Sequence, residues 1–213
     1  DTVTVAHGLS GAPEILIIFT PSQTADPASN SIGKPGIGFW ANSVSTAISN
    51  QWQSSAPMKC NQQIQTAAIG GKQGTGGMTY SNTVTVDATN IYLSTDIATG
   101  AADRFSVLCI RGTAGALVAK TGVADTPTAT GNNAIVSGMS AAPTVLLCVP
   151  TRMTTVDAVS TSDNAGAIGL CASVNNAGAG TQYGGVTATL DDAADPTDNS
   201  HETTNSQALR ILA

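Results

Sequence analysis

Hydrophobic and polar positions alternate from the first residues of the chain. In TVTVA, Thr2–Ala6, the two valines alternate with threonines, the period of a strand with one face against a core. A Gly- and Pro-containing turn follows, and then the continuous apolar run ILIIF, Ile15–Phe19. Its β-branched residues and lack of alternation predict a strand covered on both faces. After a proline-containing polar loop, GIGFWANS (Gly36–Ser43) predicts a second strand pair. NTVTVDATNIYLSTD (Asn82–Asp96) alternates again, and RFSVLCIRG (Arg104–Gly112) puts Phe105, Val107 and Cys109 on one face. No segment carries a long 3.6-residue stripe; NSVSTAISNQW (Asn42–Trp52), short and rich in serine, is the best helical candidate. The class is all-β with little helix. Ile15, Ile17, Leu108, Ile110, Leu146 and Cys148 are the expected buried positions.

The chain also repeats itself. GLSGAPEILII at Gly8–Ile18 returns as GMSAAPTVLLC at Gly138–Cys148. The offset is 130 positions from Gly8 to Gly138 (138 − 8) and 131 from Gly38 to Gly169 (169 − 38), where AGAIGLCASVNN parallels GIGFWANS. Further on, VTATLDD (Val186–Asp192) parallels IYLSTD (Ile91–Asp96), and the terminal ALRILA (Ala208–Ala213) parallels FSVLCIRG (Phe105–Gly112). Four landmarks in one order predict two tandem, similar β-sandwich or jelly-roll-like modules with short loops, residues 1–113 and 134–213. The Thr/Gly/Ala-rich segment 114–133 joins them. In the matched turn, Gly8 and Gly138 tolerate positive φ, while Pro13 and Pro143 fix φ where the apolar strand begins. That role is structural. The modules differ most after the second strand, where the first copy holds a long Gln-, Ser- and Gly-rich excursion, Val44–Tyr80. An insertion of that length is expected to order against a partner, with Trp52, Met58 and Tyr80 as interface anchors; folding over its own module as a cap is the alternative.

Charge narrows the partners. Charged residues make up 10% of the chain and hydrophobic ones 41%, with 4% aromatic and a net charge of −6. The eight Lys and Arg residues are scattered singly, whereas counterion release from nucleic acid needs clustered cations, so no nucleic-acid partner is expected. No apolar run approaches the roughly 18 residues that span a bilayer, so no membrane partner is expected either. The chain starts at Asp1 with no basic segment ahead of an apolar one, which leaves export open. Modules of about 100 residues bury only modest surface, so association with neighbours stabilises them.

Candidate chemistry is thin. The four cysteines, Cys60, Cys109, Cys148 and Cys171, form no C-x-x-C pair and have no His at ligand spacing. Three lie in apolar strand-like runs and read as small buried thiols, ahead of a disulfide and then a metal site; Cys60, in a polar segment, is the one expected to be exposed. A nucleophilic triad needs a His that meets a Ser or Cys and an acid. His7 lies in the apolar-flanked turn VAHGL and reads as satisfying a turn hydrogen bond, His201 sits in an acidic stretch, and no G-x-S-x-G occurs. Nothing sets a separation between Asp87, Asp96 or other carboxylates for glycoside hydrolysis. The reading is non-enzymatic, with no cofactor. Asp191, Asp192, Asp195 and Asp198, with Asn199, His201 and Glu202, are the one cluster of hard ligands that Ca²⁺ would accept, but the spacing is not that of an EF-hand, and a solvated acidic hairpin loop is the preferred reading. Trp40 reads as core. Trp52 and Tyr80 would serve a neighbouring subunit before a glycan.

The motifs resemble those of uncharacterised virion proteins from bacteriophages and viral metagenomes. That pattern has a Gly-x-x-x-x-Pro turn before an apolar strand, then Gly-Phe-Gly-Phe-Ala, then a closing strand of the Tyr-Leu-Ala-Leu-Gly-Gly type. Here the matching residues are Gly8–Pro13, Gly36–Ala41 and Phe105–Gly112, and again Gly138–Pro143, Gly166–Ala172 and Ala208–Ala213. Leu170 stands where Phe39 does, and both copies lack the closing Gly-Gly. The resemblance implies a structural protein on the surface of a viral particle and carries over no active site. The first expectation is a capsid decoration (cement) protein, with a tail component next, forming a homo-oligomer whose partners are other copies of itself and major capsid or tail proteins. The alternative is an extracellular receptor- or glycan-binding module of a tail fibre or cell surface.

Overall fold

A computed structural model describes residues 2–23, 32–33, 36–53, 59–66, 73–74, 77–78, 82–95, 104–113, 117–123, 143–149, 159–160, 165–174, 181–192 and 195–204. Every regular element among them is a strand: β1 Thr2–Ala6, β2 Ile15–Gln23, β3 Ile32–Gly33, β4 Gly36–Ala41, β5 Val44–Gln53, β6 Lys59–Gln65, β7 Gln73–Gly74, β8 Gly77–Met78, β9 Asn82–Val86, β10 Asn90–Thr95, β11 Arg104–Ile110, β12 Val145–Cys148, β13 Val159–Ser160, β14 Ala165–Val174, β15 Thr181–Asp192 and β16 Asp195–Thr204. The fold is all-β, as the alternation predicts. The chain divides into two compact units, one of Asp1–Gln51, Gln63–Val123 and Thr155–Val159, the other of Trp52–Gln62, Ala124–Thr154 and Ser160–Ala213. No helix among the described residues is long and apolar enough to cross a membrane.

The first unit is a two-layer sandwich. One layer is an antiparallel sheet of order β1-β10-β9, and the other runs β11-β2-β4-β5, with β3 beside β5. Residues opposite each other in register share a face. Ile91 pairs with Val5 and Val86, and Leu93 with Val3 and Val84, so these valines share the inner face, where Val84 and Val86 pack in the core and Val3, on the edge strand, is 45% exposed. Their threonines, opposite Tyr92 and Ser94, point away. In the second layer Leu16 pairs with Trp40 and Cys109, and Ile18 with Gly38 and Val107. Leu16, Ile18, Trp40, Val84, Ile91 and Leu93 form the core, with Val86, Phe105, Val107 and Cys109 packed against it.

Three corrections follow from β2 and its neighbours. The best helical candidate is strand β5, joined to β4 by the two-residue turn Asn42–Ser43. Both turn residues have positive φ, 50° and 65°, the backbone a tight hairpin requires, and that turn fixes the register that places Thr46, Ala47, Ile48 and Ser49 in the interior. The first ten residues of the expected excursion, and β6 after them, are therefore part of the sheet. Leu108, expected to be buried, is 51% exposed, because it shares the outer face with Ile17 while Val107 and Cys109 take the inner one. Ile17 is buried, and Ile15 and Ile110 are half-buried. The remainder of the excursion includes the two-residue ribbon β7–β8, in which Gln73 pairs with Met78.

The second unit contains a four-stranded antiparallel sheet of order β12-β14-β15-β16. Its β12, a long connection and β14 mirror β2 and β4: both pairs are antiparallel and both carry the repeated motifs. At offsets of 130 and 131, Ile15↔Ala41 maps onto Val145↔Ala172, whereas Val145 pairs with Val174, two residues on. A two-residue slip leaves every side chain on its own face. The third landmark does not correspond. IYLSTD lies in β10 between β1 and β9, whereas VTATLDD lies in β15 between β14 and β16, the place beside the motif strand that β5 holds in the first unit. Alternation sets which residues share a face but not which strand becomes the neighbour. Ala208–Ala213, the fourth landmark, lies outside the described residues.

Candidate functional site: an exposed apolar sheet face

The matched turn is locked from several sides. Gly8 has φ +67°, a conformation that favours glycine, and no atom stands where its Cβ would lie, so backbone conformation alone selects it. Glu14 donates its backbone N–H to Ile110 O at 2.9 Å and accepts Gly112 N–H on Oε2 at 2.9 Å. Arg111 donates to Ser10 Oγ at 2.6 Å, and its guanidinium lies where a Cβ on Gly11 would fall. Gly138 lies outside the described residues.

His7 belongs to a polar cluster at one end of the three-stranded sheet. Its Nδ1 accepts Leu9 N–H at 3.1 Å, which leaves the proton on Nε2, directed to Asp87 O at 3.2 Å. The Asp87 carboxylate accepts from Thr89 N–H and Asn90 N–H, both at 2.7 Å, from Thr89 Oγ1 at 3.0 Å, and from the Tyr92 hydroxyl at 2.7 Å. The Tyr92 hydrogen bond, then those of the Thr89 and Asn90 amides, hold this carboxyl well below its usual range, and the same bond raises Tyr92 above its own. These groups close the β9–β10 hairpin, with both His7 nitrogens engaged as the turn reading expects. Asp87 bonds its own hairpin and meets His7 only through its backbone carbonyl.

The thiols also find strand positions. Cys109 packs on the first core and Cys171 is fully buried, while Cys148 is half-buried. Burial pushes the Cys109 and Cys148 thiols above their ordinary value. For Cys60, in β6, the strand position is described and the side chain is not.

The most distinctive surface is one that the sequence reading missed. In the second unit Val145 pairs with Val174 and Leu147 with Ala172; Val174 pairs onward with Thr181, Ala172 with Tyr183 and Leu170 with Gly185. All of these share one face, and none is charged. Val145, Leu147, Leu170, Val174 and Tyr183 are each 41–56% exposed. The opposite face carries Leu146, Cys148 and Cys171, half-buried or buried. In the first unit the matching outer face is mixed: Ile17 and Ala41 are buried, Phe19, Val44 and Leu108 are 40–51% exposed, and segment 117–123 lies along its β4–β5 end. There Asn42 Nδ2 donates to Ala119 O at 2.7 Å, and the Thr121 and Thr46 hydroxyls are 3.4 Å apart. A signal for the exposed face was available: Val145 and Leu147 alternate in step with Leu170, Ala172 and Val174. The run TVLLC is continuously apolar, however, and so does not by itself mark which of its faces is open.

The expected interface anchors are placed only in part. Trp52 lies in β5, with its side chain outside the described set, and Met58 and Tyr80 lie outside the described residues. Trp40 is core, as expected, and its buried Nε1 has no hydrogen-bond partner among the described residues. Asp191 and Asp192 end β15, and Asp195 and Asp198 lie in β16; Asp192 pairs with Asp195 and Leu190 with Asp198, so the acidic run flanks a hairpin connection. The side chains of these four aspartates and of His201 lie outside the described set; among the described residues no group of three His, Cys, Asp or Glu is placed to hold a metal. In comparisons with protein families, with curated proteins and with solved structures, the chain matches none.

Proposed function

We propose that this protein is a non-enzymatic structural component of a bacteriophage particle, a capsid decoration protein in the first instance, which docks onto neighbouring copies of itself through the outer face of β12, β14 and β15. The observation that carries the reading is the uncharged apolar stripe Val145, Leu147, Leu170, Val174 and Tyr183. An apolar face of this kind marks an association surface. A second copy is the fitting occupant because the stripe has no charge to complement and is apolar across three strands, as a self-matching contact requires. Its extent sets the strength: five half-exposed side chains form a patch on the order of 300–600 Å². A standard stable interface takes about 800 Å² from each partner. Pairwise contact is therefore weak, and it becomes stable when many copies are held in an array, as on a particle surface. The motif resemblance and the low charge support the virion setting, as does the antiparallel strand pair that carries the repeated motifs in each unit, β2–β4 and β12–β14.

The exposed ring of Tyr183 favours a second reading, a glycan- or receptor-binding module, since an aromatic face stacks on sugar. Sedimentation velocity over a concentration series, with the double variant Leu147→Lys/Tyr183→Lys, tests the first. Concentration-dependent association of the wild type, lost in a variant with an unchanged melting temperature, supports it. A wild type that stays monomeric at its highest soluble concentration overturns it. An intensity-calibrated gel of purified particles then separates a decoration protein, present in many copies, from a fibre tip present in few.

A further inference from the structure

We infer that Cys148 and Cys171 are a cross-strand dithiol that closes to an intramolecular disulfide when the protein leaves a reducing compartment. The two residues are directly opposite in the β12–β14 ladder and share the less exposed face of the sheet. Directly opposed residues on antiparallel strands have Cα atoms about 4.5–5.5 Å apart and Cβ atoms about 4.5–5.5 Å apart. A disulfide spans Cα separations of about 4.4–6.8 Å with Cβ atoms near 3.8 Å, so closure needs an approach of roughly 1 Å and no change of register. Both stand as free thiols, and burial first, then the proximity of Cys171, raises the Cys148 thiol. Among the described residues Cys109 has no such partner: it pairs with Leu16 and packs on the first core.

The chemistry is thiol–disulfide exchange with a small disulfide as oxidant. The half-buried Cys148 is the reachable thiol, and Cys171, fully buried, is the resolving one. The Cys148 thiolate, having lost its proton to water, attacks one sulfur of oxidised glutathione and expels one glutathione thiolate, leaving a mixed disulfide. Cys171, deprotonated in turn, attacks the Cys148 sulfur and expels the second glutathione. The two protein thiols are oxidised by two electrons, and one glutathione disulfide is reduced to two thiols. The raised value of the Cys148 thiol makes the first step slow, which suits a staple set once in an oxidising exterior rather than a rapidly cycling switch. The bond ties the four-residue strand β12 to β14 and so fixes two strands of the apolar face opposite. The inference does not depend on the virion reading.

The test uses the full chain purified under reducing conditions and incubated with oxidised glutathione. Remaining thiols are alkylated in denaturant, and the product is analysed by intact mass and peptide mapping. Loss of two hydrogens, a Cys148–Cys171 cross-linked peptide and an alkylated Cys109 are expected, with a melting temperature roughly 10 °C above that of the reduced protein for a closed loop of this size. Cys171→Ala should stop at the glutathione adduct on Cys148, and Cys148→Ala should leave Cys171 unmodified. Both thiols remaining alkylatable, a stable adduct on wild-type Cys148, or cross-links to Cys60, Cys109 or a second chain would overturn the assignment.

Discussion

Leu16 and Leu108 lie on neighbouring strands, one register step apart, and face opposite ways. Leu16 is 0% exposed, opposite Cys109 and Trp40, within the cluster that joins the two layers of the sandwich. Leu108, opposite Ile17, is on the outer face. Truncation of Leu16 to Ala removes three carbons from a closed core. At about 0.8 kcal/mol per buried CH₂ the transfer loss alone is roughly 2.4 kcal/mol. The cavity left among Ile18, Trp40, Ile91 and Leu93 adds to it, for a total of about 3–5 kcal/mol. With a urea m-value of about 2 kcal/mol/M, the unfolding midpoint falls by about 1.5–2.5 M. Leu108→Ala deletes a side chain already half in water and costs about 1 kcal/mol or less. Urea unfolding followed by tryptophan fluorescence, to which Trp40 in the same cluster contributes, measures both. Equal losses for the two variants would show that β11 presents its alternate residues the other way round and would undo the sandwich packing described above.

Two further outcomes are expected. Ser43, at φ 65°, occupies a conformation that costs an L-residue about 1–2 kcal/mol, so Ser43→Gly should raise the melting temperature by a few degrees, and a decrease would contradict the turn geometry. Asp87 has a folded-state pKa below its ordinary 3.8, so the stability it contributes is complete above that value and is lost as pH falls below it. Tyr92→Phe removes the largest cause, moves Asp87 back toward 3.8 and should shift the acid-unfolding midpoint upward; an NMR titration in which Asp87 does not move would refute the assignment.

Sequence and tertiary structure divide the determination of this protein along a physical line. Period-two alternation identified β1, β9, β10 and the inner face of β11, because the pleat sends successive side chains to opposite faces whatever the strand pairs with. The glycine at position 8 and the bonding of His7 were legible for a similar local reason: a turn constrains φ and its own donors within a few residues. What alternation leaves open is the identity of the neighbouring strand. The segment Val44–Gln53 reads as a serine-rich insertion until the Asn42–Ser43 turn folds it back on β4, and only the ladder makes Ala47 and Ile48 interior. The same limit separated IYLSTD from VTATLDD, alike in pattern and different in partner. Continuous apolar runs carry still less information, since they name two hydrophobic faces but not what covers each. On one outer face Ile17 is buried while Leu108 opposite it is half exposed; on the other, Val145 and Leu147 both stand open. The juxtaposition of Cys148 with Cys171 had no sequence signal at all, because cross-strand register is a long-range property set by the pairing of β12 with β14.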